Sequence, residues 1–350
     1  MTLPEVWFVV VAVLFAGYFL LEGFDFGVGM ALPFLGRGRD ETAEDGDVRR
    51  RTLINTIGPV WDGNEVWLLT GGGAMFAAFP IWYATMFSAM YLALLVILVG
   101  LITRVVAIEW RGKIDDPRWR RWCDVGIGLG SWLPALLWGV AFANLVRGLP
   151  LDSGQRFTGT FFDLLSPYAL LGGLTTLLLF GTHGLVFLTL KTDGHLRIEA
   201  MRAARVWAVP TVIVFAVFGG WTLAYGEKGW LATVLAVGVA ASIVIAAAAA
   251  AGREVVAFAA TSVSILSLVV LIFGSLWPVV IRATTTRAND LTIAAAASSH
   301  YTLTVMTWAA VVMVPVVLAY QIWTYWVFRQ RISTAHIPPS IGLSLRVRRS

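Results

Sequence analysis

The chain has 350 residues, of which 58% are hydrophobic and only 13% are charged. Because a soluble globular domain carries about 25% charged residues, this composition excludes that class and indicates an integral membrane protein. The only cysteine, Cys123, excludes an internal disulfide and any cluster or zinc site built on cysteines.

The sequence predicts nine membrane-spanning helices, because nine segments reach the roughly 20 apolar residues that a helix needs to cross the hydrocarbon core. In chain order they lie near residues 4–35, 53–79, 82–110, 122–146, 160–190, 206–225, 230–251, 254–275 and 300–328. The first segment has no basic start and no small-residue cleavage site, which favours a span over a cleavable signal peptide. Nothing indicates a second folded unit, so residues 1–350 are treated as one integral membrane domain, in which segment 276–299 forms a capping loop.

Lysines and arginines predict the orientation of the chain. With the N-terminus outside, the inner segments are 36–52, 111–121, 191–205, 252–253 and the tail after Phe328. Twenty of the 26 basic residues fall on that inner side, five fall outside, and Arg104 lies within the third span. Cytoplasmic loops are enriched in basic residues, so the pattern predicts an outer N-terminus and a cytoplasmic C-terminus. It also explains the net charge of +5 by contact with anionic lipid, without a nucleic-acid partner.

Apart from Glu5 at the start of the first span, six acidic or basic residues lie inside the first three predicted spans. A charge at the bilayer centre costs at least ~2.5–3.5 kcal/mol, so each of them needs a physical reason to be there. They are Glu22 and Asp25 in the first span, Asp62 and Glu65 in the second, and Arg104 and Glu109 in the third. Each acid pair has i, i+3 spacing, which places its two members on one face of the helix.

The depths of these residues predict a ladder of charges. Asp25 and Asp62 lie roughly 15 Å from the inner surface, since a helix rises about 1.5 Å per residue. Glu22 and Glu65, one turn deeper, come out at roughly 20 Å, and Arg104 at about 10 Å. Carboxylates close to one another and to a cation can hand on protons, so the pattern favours a proton relay that opens to the cytoplasm. The alternative is a set of polar clamps between helices, in which the arginine neutralises one acid.

Other residues near the ladder fit either function. Glu109 lies close to the inner surface, where it is either an entrance to the relay or a solvated end residue. Glycines flank Asp25 and Asp62 and allow the helices to approach closely. Pro59 has no backbone N–H, so it frees a carbonyl to face a cavity just before the second acid pair.

The four histidines predict no haem or metal site. His195 and His336 fall on the inner surface and His300 at the outer edge of the last span, so only His183 lies well inside a helix. A haem–copper core needs several intramembrane histidines, and a bis-histidine cytochrome needs pairs of them. We therefore interpret His183 as a hydrogen-bonded packing residue. The chain is predicted to bind no metal and no haem by itself and to contain no catalytic residue.

Two sequence strings around the acids are distinctive. Residues 22–30 read EGFDFGVGM, and residues 61–67 read WDGNEVW. In the second string the two acids are accompanied by four residues that support the motif: Trp61, Gly63, Asn64 and Trp67. Together with segments 71–80, 132–134, 139–145 and 302–308, these strings make the chain resemble subunit II of the cytochrome bd-type quinol oxidases over nearly its whole length.

The resemblance implies a fold, a partner and a reaction. In this family a larger subunit I binds two b-type haems and the d-type haem, oxidises quinol near the outer face and reduces dioxygen to water. Subunit II is similar to its partner in fold, with nine spans arranged as two four-helix bundles and a peripheral helix, and it binds no haem itself. The implied complex is a heterodimer in the bacterial cytoplasmic membrane, in contact with quinol and lipid. A structural quinone in this chain and small accessory subunits stay open.

The resemblance also implies roles for the buried charges. By motif match, Asp62 corresponds to the acid of the proton pathway toward the haem site, and Asp25 to the acid near it. Arg104 and Glu109 match a charged pair on the third span, and the remaining two glutamates are secondary members of the path. Two other functions stay open on the residues alone: a secondary transporter whose acids bind a coupling ion, and a purely structural membrane partner. Acids confined to the first three spans argue against a transporter built from inverted repeats.

Overall fold

The computed structural model describes residues 1–38, 42–226, 228–338 and 342–343, and these residues are mainly helical. In chain order the first helices are α1 (Leu3–Leu35), α2 (Ala43–Ile57), α3 (Trp61–Ala78), α4 (Pro80–Ala89), α5 (Tyr91–Trp110) and α6 (Pro117–Arg147). They are followed by α7 (Pro167–Lys191), α8 (Gly194–Tyr225), α9 (Trp230–Ala250) and α10 (Glu254–Leu276). Strands β1 (Val279–Ile281) and β2 (Leu291–Thr292) pair antiparallel, and α11 (Ile293–Ala296) and α12 (His300–Val327) complete the fold. Four arginines of the predicted inner set, Arg39, Arg346, Arg348 and Arg349, lie outside the described residues.

The predicted polytopic helical fold is confirmed. Within the described ranges, eight helices are long and apolar enough to cross a membrane, and α3 with α4 is a ninth candidate if this bent pair is one span. The most apolar stretches of α7 and α6 are 78% and 67% buried, whereas that of α12 is only 6% buried. Helices α6 and α7 therefore lie at the centre of the fold, and α12 lies at its periphery.

The second and third predicted spans are interrupted in the structure, although the sequence predicted a continuous helix for each. Residues 53–79 contain the end of α2, a turn at residues 58–60 and α3, because Pro59 has no N–H to continue the helical ladder. Pro80 has the same effect at the start of α4, and α3 and α4 meet at an angle of 119°. Because α4 ends at Ala89, the predicted span 82–110 is divided between α4 and α5.

The start of α7 also differs from the predicted span 160–190. The hydroxyl of Ser166 accepts a hydrogen bond from the Ala169 N–H at 3.2 Å, and Pro167 occupies the first helical position. A serine cap followed by proline is a strong helix start, because the cap satisfies a free N–H and proline already has helical φ. Residues 161–164 form a separate short turn before it.

Helix α1 packs in the middle of the molecule, against α3, α6, α7 and α10. Its backbone approaches that of α7 closely where Gly27 faces Gly184. A Cβ added to Gly27 would lie 2.2 Å from the carbonyl oxygen of Phe180 and 2.6 Å from the Cα of Gly184. Only glycine permits this contact between backbones. In lipid, where helices gain little from the hydrophobic effect, such close packing holds a helix pair together.

Aromatic side chains fill the space between α1, α6 and α7 on the N-terminal side of Gly27. Phe15 contacts Phe142 edge-on with ring centroids 5.0 Å apart, and Phe19 contacts Phe180 in the same way at 5.4 Å. Each such pair contributes about 0.5–1.5 kcal/mol beyond the area that it buries. These contacts join α1 to α6 and α7, which fixes the acids of α1 in a rigid frame.

One end of the molecule, the hairpin end, consists of residues 148–166, 228–229 and 276–299. The Leu149 N–H donates to the carbonyl oxygen of Arg282 at 2.8 Å, and the Thr284 N–H donates to the carbonyl oxygen of Leu149 at 2.9 Å, so β1 and the segment after it cross the helix ends. Lys228 donates to the Gly274 carbonyl at 2.8 Å. Burial, assisted by the charge of Arg282, lowers the pKa of Lys228.

The opposite end, the arginine-rich end, consists of residues 36–38, 42–60, 111–117, 192–194, 251–253 and 328–338. Ion pairs connect its separate helices. Arg49 of α2 pairs with Glu199 of α8, and Arg331, which follows α12, pairs with Glu254 of α10 at 2.7 Å. These contacts tie the end of the peripheral helix α12 to the rest of the bundle.

Candidate functional site: a buried charge cluster

Arg104 of α5 is the centre of the buried charges. Its side chain is fully buried and forms an ion pair with Glu22 of α1, which is also fully buried. Glu65 of α3 lies 3.6 Å from the same guanidinium nitrogen, and the guanidinium carbon stands 4.8 Å from the ring centroid of Phe26. Three helices therefore meet around one cation. Arginine suits this position because it stays charged inside a protein and can contact two carboxylates and an aromatic face at once.

A glycine on α6 makes room for this arginine. A Cβ added to Gly130 would lie 2.4 Å from the carbonyl oxygen of Gly100 and 2.7 Å from the Cβ of Arg104. Helices α5 and α6 can thus pack with their backbones in contact, which turns the arginine stem inward toward α1. The sequence signal for this contact is a pair of glycines on neighbouring spans, a pattern that favours close helix packing.

Asp25 is the second buried acid, and it is bound through an amide. The side-chain nitrogen of Asn64 donates to one Asp25 oxygen at 2.7 Å, and both residues are fully buried. The Asn64 oxygen accepts hydrogen bonds from the Tyr325 hydroxyl at 2.7 Å and from the Gln321 amide at 3.5 Å. Trp67 donates its indole N–H to the Gln321 oxygen at 2.8 Å. The network therefore joins α1, α3 and α12.

Several oxygens of the cluster keep lone pairs that the described part of the chain does not use. Both oxygens of Glu22, one oxygen of Asp25 and one oxygen of Glu65 are buried without a hydrogen-bond donor of good geometry there. In folded proteins such buried acceptors are the exception. Because one Glu22 oxygen and the Glu65 oxygen face the Arg104 guanidinium, the unused capacity to accept a proton or a hydrogen bond lies at the second Glu22 oxygen and at Asp25.

Asp62 and Glu109 do not join the buried cluster. Both residues are exposed on the surface of the isolated chain, Asp62 on α3 and Glu109 near the end of α5. Glu65 lies between the two environments, with 21% of its side chain exposed. Of the motif residues, Trp61 is half-buried, and Gly63 faces open space with nothing within 4 Å of an added Cβ. The face of α3 around these residues is therefore uncovered by this chain.

The structure adds two details to the predicted ladder. The partner of Asp25 on α3 is Asn64, whereas Asp62 is exposed, because the turn at residues 58–60 restarts the helix and sets its rotation independently of the preceding segment. The helical rise places Arg104 about 10 Å shallower than Glu22, and the two side chains nevertheless touch. Side chains on a helix lean toward its N-terminus, and the long arginine stem reaches back into the middle of the span.

Both ring nitrogens of His183 are occupied within the protein. Nε2 lies 3.0 Å from the Leu20 carbonyl oxygen, which can only accept, so Nε2 carries the proton. Nδ1 lies 2.6 Å from the hydroxyl oxygen of Thr261, a hydroxyl that also donates to the Phe258 carbonyl oxygen at 2.8 Å. The ring also stacks on Phe258 with centroids 4.8 Å apart. Among the described residues no group of three histidine, cysteine or acidic side chains is arranged to hold a metal ion.

Sequence reasoning missed Tyr325 and Gln321 as members of the network. Both lie on α12, which otherwise contacts little of the chain. Their signal was present in the sequence, because two residues with i, i+4 spacing share one helix face and both carry hydrogen-bonding groups in an apolar span. Asn64 was named as motif support, and its contact with Asp25 shows what it does in the fold.

The fold and this cluster define the class of the protein: a polytopic helical membrane protein that holds a buried arginine and several carboxylates between its first membrane helices. The family model for cytochrome bd terminal oxidase subunit II matches residues 3–328. The chain therefore belongs to that family, as its motifs suggested, and it is the second subunit of a quinol:oxygen oxidoreductase complex.

Individual relatives agree with this assignment. The chain is 42% identical to the cytochrome bd ubiquinol oxidase subunit 2 of Bacillus subtilis, over 95% of this chain and 97% of the relative. It is 36% identical to the cytochrome bd-I ubiquinol oxidase subunit 2 of Escherichia coli, over 95% and 96% of the two chains. A chain of the bd oxidase from Geobacillus thermodenitrificans shares the fold with a TM-score of 0.76 at 17% identity, over 94% of this chain and 99% of that one. Family membership implies a subunit I partner that carries the haems.

Proposed function

We propose that this subunit conducts protons from the arginine-rich end toward the haem of its partner subunit. The observation that carries the proposal is the connection between buried and exposed acids on one helix. Glu65 reaches the Arg104 cluster, while Asp62, one helical turn away on α3, is exposed on the side of the chain. A proton relay needs buried acids and an exposed acid that can pass protons to the partner subunit. Helix α3 carries one residue of each kind, Glu65 at the cluster and Asp62 on the surface.

The geometry favours different roles for the acids. Glu22 and Arg104 are fully buried and paired with each other, an arrangement that favours a fixed structural clamp, because breaking a buried pair is expensive. Asp25 is held by the neutral amide of Asn64, and Glu65 is partly exposed and 3.6 Å from the guanidinium, so these two acids are better suited to exchange protons. Asp62 is then the member of the path that faces the partner subunit.

The direction of the path follows from the proposed topology. With the N-terminus outside and the C-terminus inside, the arginine-rich end is cytoplasmic, as expected from the enrichment of basic residues there. Glu109 is exposed near that end of α5 and acts as the entrance. We assign the complex to the bacterial cytoplasmic membrane, with the spans of this chain arranged as two four-helix bundles and α12 at the periphery. A structural quinone and accessory subunits remain outside the proposal.

Replacing Asp62 by asparagine tests the proposal, with replacement by glutamate as the matched control. The complex is purified with its partner, and quinol-driven oxygen consumption is measured per haem d, so that loss of assembly is distinguished from loss of turnover. Asp62→Asn should reduce turnover at least about tenfold with normal haem content, within the range that proton-transfer groups contribute. Asp62→Glu should retain most of the activity. Normal turnover of the asparagine variant would leave the cluster with a structural role only.

A further inference from the structure

Two adjoining cavities open at the arginine-rich end beside the start of α6. The larger cavity, of about 880 Å³, is lined mainly by charged side chains and lies between α2, the end of α5 and the start of α6. The smaller cavity, of about 390 Å³, runs between α1 and α6 and is mainly apolar. Arg50, Arg121 and Asp124 line both cavities, so they form the boundary where a polar chamber meets an apolar groove.

The polar cavity has an excess of positive charge. Its described lining contains four acidic residues and six arginines: Arg37, Arg50, Arg51, Arg111, Arg120 and Arg121. Three of the acids are held in ion pairs, since Arg111 binds Asp124 at 2.6 Å and Asp47 at 2.9 Å, and Arg120 binds Asp115 at 2.5 Å. Although burial acts to lower the pKa of Arg111, its hydrogen bond to Asp124, with the charge of Asp47, leaves that pKa raised. These acids are therefore neutralised inside the wall of the cavity.

Arg121 is the arginine best placed to meet a ligand. It is exposed at the boundary of the two cavities and has no acidic partner within the described residues. Arg50 stands beside it, 3.5 Å from Asp124, which already binds Arg111 through both oxygens. Asp124 lies at this boundary but already binds Arg111, so it neutralises the positive charges of Arg50 and Arg121 only in part. Such a pair suits a phosphate group, which arginine binds through two parallel N–H groups.

The apolar groove continues from this boundary into the span. On α6 its lining residues follow helical spacing from Arg121 to Trp132, a length of about 16 Å at 1.5 Å per residue. Leu32 and Pro33 of α1 form the opposite wall. Gly128 lines the groove, and a Cβ added there would meet nothing within 4 Å, so the groove is open at this position.

We infer that this boundary binds one anionic phospholipid, with its phosphate at Arg121 and Arg50 and an acyl chain in the groove between α1 and α6. Because arginines outnumber acids in the lining of the larger cavity, that cavity selects an anionic headgroup. The apolar groove beside it accommodates an acyl chain attached to that headgroup. The site lies where α1 and α6 leave the apolar part of the molecule, which is the level at which lipid headgroups contact basic side chains.

Native mass spectrometry of the complete two-subunit complex tests the site, with dioleoylphosphatidylglycerol as the probe and dioleoylphosphatidylcholine as its zwitterionic control. Arg121→Gln removes the charge, and Gly128→Leu places an apolar side chain in the groove at a position where an added Cβ meets nothing within 4 Å. Arg118→Gln is the matched control, because Arg118 is an exposed arginine on the same helix that lines neither cavity. Haem content confirms that each variant has assembled.

The wild type and Arg118→Gln should bind the anionic lipid in preference to the zwitterionic one. Arg121→Gln should bind it about fivefold more weakly, the factor that one arginine near a lipid surface supplies. Gly128→Leu should lose it, and excess glycerol 3-phosphate should not displace it. Equal binding by all four proteins would overturn the proposal. A loss in Arg121→Gln without a loss in Gly128→Leu, or displacement by glycerol 3-phosphate, would overturn it in favour of a headgroup-only anion site.

Discussion

Replacing Arg104 by methionine should destabilise the complex by about 3–5 kcal/mol. The guanidinium is fully buried and paired with Glu22, and Glu65 lies 3.6 Å from it. Methionine fills a similar volume but leaves these carboxylates inside the protein without a cation. Loss of one partner of a buried pair is much more costly than loss of both, because the remaining charge stays desolvated.

A double-mutant cycle separates this charge effect from general damage. Glu22→Gln alone should cost less than Arg104→Met, about 1–3 kcal/mol, because Glu65 still faces the guanidinium and the amide still accepts a hydrogen bond. The double variant should be more stable than the sum of the two single losses predicts, by about 1–3 kcal/mol. That difference measures the coupling between the two buried charges.

The assay is unfolding of the purified two-subunit complex in one detergent, followed by tryptophan fluorescence, with haem content as the check on assembly. Arg118→Met serves as the control, because Arg118 is exposed and should change stability by less than about 0.5 kcal/mol. Single losses that add within about 0.5 kcal/mol in the double variant would refute a structural clamp between Glu22 and Arg104.

Two further predictions concern the helix crossing and the start of α2. Gly27→Ala should destabilise the complex by about 1–3 kcal/mol, because the new Cβ would lie 2.2 Å from the Phe180 carbonyl oxygen. Gly220→Ala is the control and should not destabilise it, because an added Cβ there meets nothing within 4 Å. Equal unfolding midpoints of the two variants would contradict this prediction. A hydrogen bond from the Thr42 hydroxyl, with a second from its backbone N–H, lowers the pKa of Asp45, so this cap stabilises α2 above about pH 4 and is lost as the pH falls through the lowered value. Amide exchange in the first turn of α2, relative to intrinsic rates, should therefore be faster at pH 3 than at pH 5, and Asp45→Asn should abolish the difference.

Much of the fold followed from the sequence because apolar length is a direct physical requirement of the bilayer. Each predicted span overlaps helix, and the departures have local causes. Pro59 and Pro80 divide the apolar region that was predicted from its length to form continuous spans. Ser166 and Pro167 start α7 after the beginning of the apolar segment 160–190. The end of α4 at Ala89 has no comparable signal in the sequence, and nothing in the structure explains it.

The site was predictable in composition but not in pairing. A charge within an apolar span is conspicuous, so Glu22, Asp25 and Arg104 could be identified without a structure. Their partners depend on helix rotation, which spacing within one helix does not determine. The same limit explains why Asn64, and not Asp62, binds Asp25.

Proton uptake by the complex during a single turnover with dioxygen would reveal directly whether this subunit conducts protons. A pH-sensitive dye reports protons taken up by the complex, while haem absorbance reports electron transfer in the same sample. In Asp25→Asn and Asp62→Asn, proton uptake should slow at least about tenfold, together with the oxygen-reduction steps that need protons, while earlier electron transfer keeps its rate. Proton uptake at the wild-type rate in both variants would contradict the relay.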